Sequence, residues 1–229
     1  MSANAMTNQQ VKPKMDIKTM TSLGMLTGIA YVVMLLSKML PSVNGFLDFD
    51  FKDVVICIGG FIFGPLSAAA ISIVVALIEM MTISHTGPIG LIMNILATCS
   101  FCCTASYVYK HRHTKTGAIE GLALGVVCLV IVMLLWNYLI TPIYQGVPRD
   151  VVAAMLPTVF LPFNLVKGGL NMAATLLLYK PVVSALRKTG LVAPSKSGQQ
   201  KKFNAGFALF SLALLATFAV WAMVLVGVI

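Results

Sequence analysis

Seven apolar stretches separated by short polar links leave this chain few folds other than a bundle of membrane helices. They run over about 19–40, 54–63, 66–82, 89–109, 117–142, 157–187 and 205–229. A hydrocarbon core about 30 Å thick is crossed by about 20 helical residues. Inside it every backbone polar group must be satisfied within the protein, which a helix does by itself. Composition agrees: 59% of the 229 residues are hydrophobic and 10% are charged, against about 25% charged in an ordinary soluble domain. The expected fold is an all-α integral membrane protein, one membrane domain without a sizeable soluble one. The first run is longer than the core of a cleavable signal peptide, so it is read as a span.

One run departs from this pattern. Residues 54–63 are too few to cross at 1.5 Å per residue. Gly64-Pro65 then breaks the helix before the next run. This second helix is expected to start within the preceding link or to lean on neighbours that cover it.

Charge sets the orientation. Lys12, Lys14 and Lys18 precede the first helix, and Lys110, Arg112 and Lys115 join the fourth to the fifth. Lys180, Arg187, Lys188, Lys196, Lys201 and Lys202 close the sixth and lead to the seventh. With a cytoplasmic N-terminus, alternate crossings place all three groups inside, as the positive-inside rule requires. The acidic link with Asp48, Asp50 and Asp53 then lies outside. The expected organisation is a cytoplasmic tail over 1–18, a membrane domain over 19–188, a basic cytoplasmic linker over 189–204 and an additional transmembrane helix over 205–229. The net charge of +9 is accounted for by these links. A nucleic-acid surface would need basic groups interleaved with exposed aromatics on a soluble face, and nucleic acid is not an expected partner.

Catalytic patterns are missing. No phosphate-binding glycine loop ending in Lys-Ser or Lys-Thr occurs, and no His-Glu-x-x-His. His85, His111 and His113 all fall in links. The five cysteines, Cys57, Cys99, Cys102, Cys103 and Cys128, lie in apolar segments, where free cysteine packs as a small hydrophobe. The chain is therefore not expected to be an enzyme, to bind a metal or to carry a cofactor.

Asn164 and Lys167 stand inside the apolar stretch Leu156 to Tyr179. A lysine near the centre of a membrane helix costs about 2.5–3.5 kcal/mol on insertion scales and marks a functional site by default. Spacing of three puts both on one helix face, with Asn171 close to that direction. The alternative is a lysine that snorkels or bonds backbone carbonyls. Other polar groups join this recognition set: Asn94 in the fourth helix, Asn137 and Trp136 in the fifth, and Glu79 in the third. Glu79 either lines the outer end of a cavity or caps its helix. Asn supplies donor and acceptor from one amide, and aromatics supply flat walls, so the set suits a planar heteroaromatic ligand. In the link, Phe46-Leu47-Asp48-Phe49-Asp50-Phe51 alternates with period two, which predicts a short extended lid with Leu47, Phe49 and Phe51 turned one way. Gly24 and Gly28, four apart, allow another helix to approach closely, within this chain or from a partner.

Five strings in order carry a resemblance: Phe-Leu-Asp-Phe-Asp-Phe-Lys-Asp at 46–53, Gly-Gly-Phe-Ile-Phe-Gly-Pro-Leu at 59–66, Thr-Gly-Pro-Ile-Gly at 86–90, Trp-Asn-Tyr at 136–138 and Pro-Phe-Asn-Leu-Val-Lys-Gly at 162–168. Over about 19–188 the chain resembles the S components of energy-coupling-factor (ECF) vitamin transporters, specifically the riboflavin-binding kind. The resemblance implies a six-helix bundle binding riboflavin, with FMN a second candidate, under a lid made from the link. Matching positions are Asn137, Asn164 and Lys167, with Leu47, Asp48 and Phe49 as lid contacts. It also implies docking, through the face carrying Gly24 and Gly28, on a membrane coupling subunit served by two cytoplasmic ATPases in a bacterial plasma membrane. The family pattern has six helices, so the seventh is a departure. The rival readings are an S component for another vitamin or base, a membrane enzyme acting on lipid head groups, and a non-catalytic membrane assembly protein.

Overall fold

A computed structural model describes residues 17–84, 86–189 and 205–228. His85, nearly all of the expected tail and the linker lie outside the described residues. The elements are α1 (Ile17–Ser37), α2 (Lys52–Phe63), α3 (Pro65–Thr82), α4 (Gly87–Arg112), α5 (Lys115–Gln145), α6 (Arg149–Met155), a π-helical turn (Leu156–Phe160), α7 (Leu161–Lys188) and α8 (Ala205–Val226). Among the described residues, six helical segments are long and apolar enough to cross a membrane. α2 is not among them. Its 12 residues span about 18 Å, so it is a buried half-helix carried by its neighbours.

Local chemistry explains the breaks. Gly64 takes φ +99°, a left-handed conformation that glycine adopts without a Cβ penalty, and Pro65 starts α3 where no N–H is needed. α4 ends at left-handed His113, and Thr114 caps α5 by accepting from Gly117 N at 2.9 Å. The basic links thus lie at the same end as the α2–α3 break, the basic end. Lys110 and His113 line a cavity of about 170 Å³ against Gly60–Gly64 there. The link between α1 and α2 lies at the other end, the lid end.

The main core joins α1 to α5 and α7 around Leu26, Ile56, Phe101, Leu122, Leu129 and Leu176. All five cysteines are free, and Cys57 and Cys102 are buried in this core, consistent with a packing role.

The structure corrects two boundaries. The expected link over 143–156 contains helix: α5 runs through Pro142 to Gln145, and α6 occupies 149–155. Pro148 immediately precedes α6, Asp150 suits its N-terminal dipole, and fully buried Val152 anchors it. Between α6 and α7 the chain widens into a π turn containing Pro157, with Pro162 opening α7.

Candidate functional site

The link over 38–51 forms no strand. A tight loop closes through the Val43–Leu47 bridge, with Asn44 and Gly45 at positive φ, and an irregular run follows. The period-two expectation nevertheless holds in its contacts. Leu47, Phe49 and Phe51 join one apolar cluster with Val43 and with Phe163, Val166 and Leu170 of α7. The Phe49 and Phe163 rings lie 5.2 Å apart.

The intervening acidic residues face cations. Asp48 pairs with Lys38 at 2.8 Å, and Asp50 pairs with Lys52 at 2.6 Å. Lys52 also pairs with Glu79 at 3.0 Å, and Glu79 accepts from Asn94 Nδ2 at 3.0 Å. Lys38 stands 3.8 Å from the same Glu79 carboxylate. Asp53 accepts from the Thr98 hydroxyl at 2.7 Å. Asp50, Lys52, Asp53 and Glu79 are all buried. The Glu79 side chain is thus the junction of a network tying the link to α2, α3 and α4. Because α2 starts about 18 Å from its Gly64 end, this network lies toward the lid end, buried at Asp50, Lys52, Asp53 and Glu79 and part-exposed at Lys38 and Asp48.

α7 supplies the other wall. Asn164 is buried and donates to Phe160 O at 2.7 Å, while Lys167 is half-buried. The Lys167 charge bears on Asp50 and Asp53, and a spacing of three puts Asn164 on the same helix face. Asn171, one turn on, donates to Asp50 O at 2.9 Å and to Lys167 O at 3.0 Å. Its amide oxygen is buried without a hydrogen-bond partner. Burial pushes the Asp50 carboxyl up, but the Lys52 and Lys167 ammonium groups outweigh it and hold Asp50 below the usual carboxylate range.

On α5, Asn137 is buried, donating to Met133 O at 2.8 Å and accepting from Thr141 at 3.0 Å. Gly168 of α7 lies against Val126 and Leu129 of α5, so Asn137 and Asn164 both stand on the lid side of that crossing. Trp136 packs against the main core. Tyr138 and Tyr144 are exposed, as interface anchors are. Gly24 and Gly28 are exposed on α1 with nothing within 4 Å of an added Cβ, so no described residue covers their face. The second cavity, about 220 Å³, lies between the link, Leu170 and α8; neither described cavity is lined by Asn137, Asn164 or Lys167.

Residues 18–179 match the family model for the substrate-specific component of ECF transporters. That match covers most of the membrane bundle. The chain belongs to this family. It is therefore a multi-pass membrane component of a transporter, not an enzyme. Among relatives of this S component, the riboflavin transporter RibU of Staphylococcus aureus is 28% identical over 75% of this chain and 93% of its own length. The riboflavin transporter FmnP of Bacillus subtilis is 29% identical over 67% of this chain and 86% of its own. A solved S component of a bacterial ECF transporter superposes with a TM-score of 0.63 at 28% identity, covering 74% of this chain and 98% of that one.

Proposed function

We propose that this S component binds riboflavin between the link and the α7 face carrying Asn164 and Lys167, for uptake driven by separate ATPase subunits. The observation that carries the reading is a half-buried lysine and a buried asparagine three residues apart on α7, the helix against which the link packs through Phe163, Val166 and Leu170. The curated relatives named riboflavin transporters favour a flavin over another vitamin. Asn164 has engaged one of its two N–H donors, leaving its second donor and its carbonyl for the imide edge of an isoalloxazine ring. Lys167 would donate to a ring carbonyl. Asn137, Leu47, Asp48 and Phe49 would hold the ribityl chain and the ring's flank. Asn94 and Glu79, engaged with each other and with Lys52, would act by fixing the link.

Ligand pockets generally measure about 300–1,000 Å³, and the described cavities are 170 and 220 Å³. A link that lifts from α7 would supply the space that neither of these two cavities offers. The test is the absorption spectrum of the purified protein after incubation with riboflavin or FMN. A bound-flavin band is the expected result, and titration with each ligand separates the two. A colourless protein with no affinity for either would overturn the reading.

The open α1 face would seat the coupling subunit, with the N-terminus and the basic end cytoplasmic. Gly24→Leu with Gly28→Leu is expected to abolish uptake in cells while flavin affinity in detergent stays at the wild-type value. Normal uptake by this variant would place docking elsewhere.

A further inference from the structure

The family match ends at residue 179, and α8 begins at 205. The helix nevertheless meets the lid. Leu215, Phe218, Ala219, Ala222, Leu225 and Val226 flank the cluster built from Val43, Phe49 and α7. The contact with α7 is close: a Cβ on Gly169 would lie 2.3 Å from the Phe218 ring. Phe218 therefore rests on the α7 backbone two residues beyond Lys167, and only glycine there admits it. Toward the lid end, the cavity of about 220 Å³ separates Leu40, Pro41, Phe49 and Phe51 from Ala219, Ala222, Met223 and Val226. The lid thus has apolar free space on its α8 side, with an apolar wall behind it.

We infer that α8 positions the lid, through Phe218 and Leu225, and sets how fast ligand enters and leaves. The inference rests on the link being the ligand's cover. The two sides of the link are held differently. Asp48 and Asp50 are fastened by ion pairs to Lys38 and Lys52. The side chains of Leu47, Phe49 and Phe51 are held by apolar contact, part of it supplied by α8, while the Phe51 backbone N–H donates to Ser37 Oγ at 3.1 Å. Lifting the link carries those side chains toward the aqueous face, and the α8 wall favours their staying down. Because that wall stands whether or not ligand is present, it opposes opening in both states. Weakening it speeds entry and exit together, a signature that damage to the ligand's own contacts does not produce.

The experiment is stopped-flow flavin fluorescence on the full chain with Phe218→Ala, and with Leu225→Ala as a milder truncation should the first fail to accumulate. Leu212→Ala, on the exposed face of α8, is the control. Association and dissociation rates are both expected to rise about fivefold or more, with Kd changed far less than either. Unchanged rates, or a faster dissociation matched by an equal loss of affinity, would overturn the inference. Hydrogen exchange of the 43–51 amides in ligand-free protein supplies a reading that needs no flavin: faster exchange in Phe218→Ala is expected, and equal exchange counts against α8. A wild type that binds no flavin would sink the proposed ligand and leave this second measurement standing.

Discussion

Lys52→Met is expected to remove most folded protein from the membrane fraction. Lys52 is 3% exposed and is the cation that serves both Asp50 and Glu79. Removing one partner of a buried pair leaves the other charge uncompensated, which costs about 3–5 kcal/mol. Here two carboxylates are part-orphaned: Asp50 keeps the Lys167 charge, and Glu79 keeps Lys38 at 3.8 Å and the Asn94 amide. Thermal unfolding in detergent, read by loss of the monodisperse peak in size-exclusion chromatography, measures the effect. Adding Glu79→Gln should recover part of the lost stability, since it removes one orphaned charge. Equal melting of Lys52→Met and wild type would mean that the network is solvated rather than buried. Its acid response has a definite sign. Asp50 has a folded pKa below its ordinary value of 3.8, so its contribution is present above that pH and is lost as pH falls through the depressed folded value. Asp50→Asn should therefore flatten the acid limb of the stability profile.

Lys167→Met and Asn164→Leu are expected to weaken riboflavin binding about tenfold or more each, an effect of about 1.4 kcal/mol. Hydrogen bonds to charged groups are worth about 1.5–3 kcal/mol, so the lysine variant should show the larger loss. Membrane accumulation should stay near the wild-type level, because neither residue makes a described ion pair with Asp50, Lys52 or Glu79, and Lys167 acts on Asp50 through its charge alone. Fluorescence titration of the purified variants is the measurement. Unchanged curves for both would remove α7 from the site. A change in complex assembly with unchanged flavin affinity would instead favour the reading of Lys167 as a contact for a partner helix.

The helices were legible because apolar length and Gly-Pro breaks are local signals. The short second helix, the Gly64 break and the polar face of α7 all follow from neighbouring residues. The lid's alternation was legible for the same reason, even though no strand forms. What the chain order concealed is the pairing of Lys52 with Glu79, 27 residues away on another helix. Lys38 and Lys52 also lie at the acidic end, against the pattern of the other basic residues. Each is matched there by a carboxylate, so neither adds a free positive charge to that face. α6 was hidden by its flanking prolines, which read as loop punctuation yet here stand before a helix and inside a π turn. Asn171 gave a faint signal in lying near the Asn164–Lys167 direction; its bond to Asp50 O depends on where the link settles.

The π turn at Leu156–Phe160 carries a consequence for heading rather than for stability. An α-helix rotates about 100° per residue, and a π turn holds one residue more than an α turn. Excising Val159 would let α6 continue into α7 with ordinary winding. Either α6 or the whole stretch beyond would then swing by about that angle. α6 buries Val152 alone, whereas α7 buries twelve residues, so the swing would fall on α6 and leave Asn164 and Lys167 in place. A one-residue insertion thus acts as the azimuth setting of α6 against the helix that follows it.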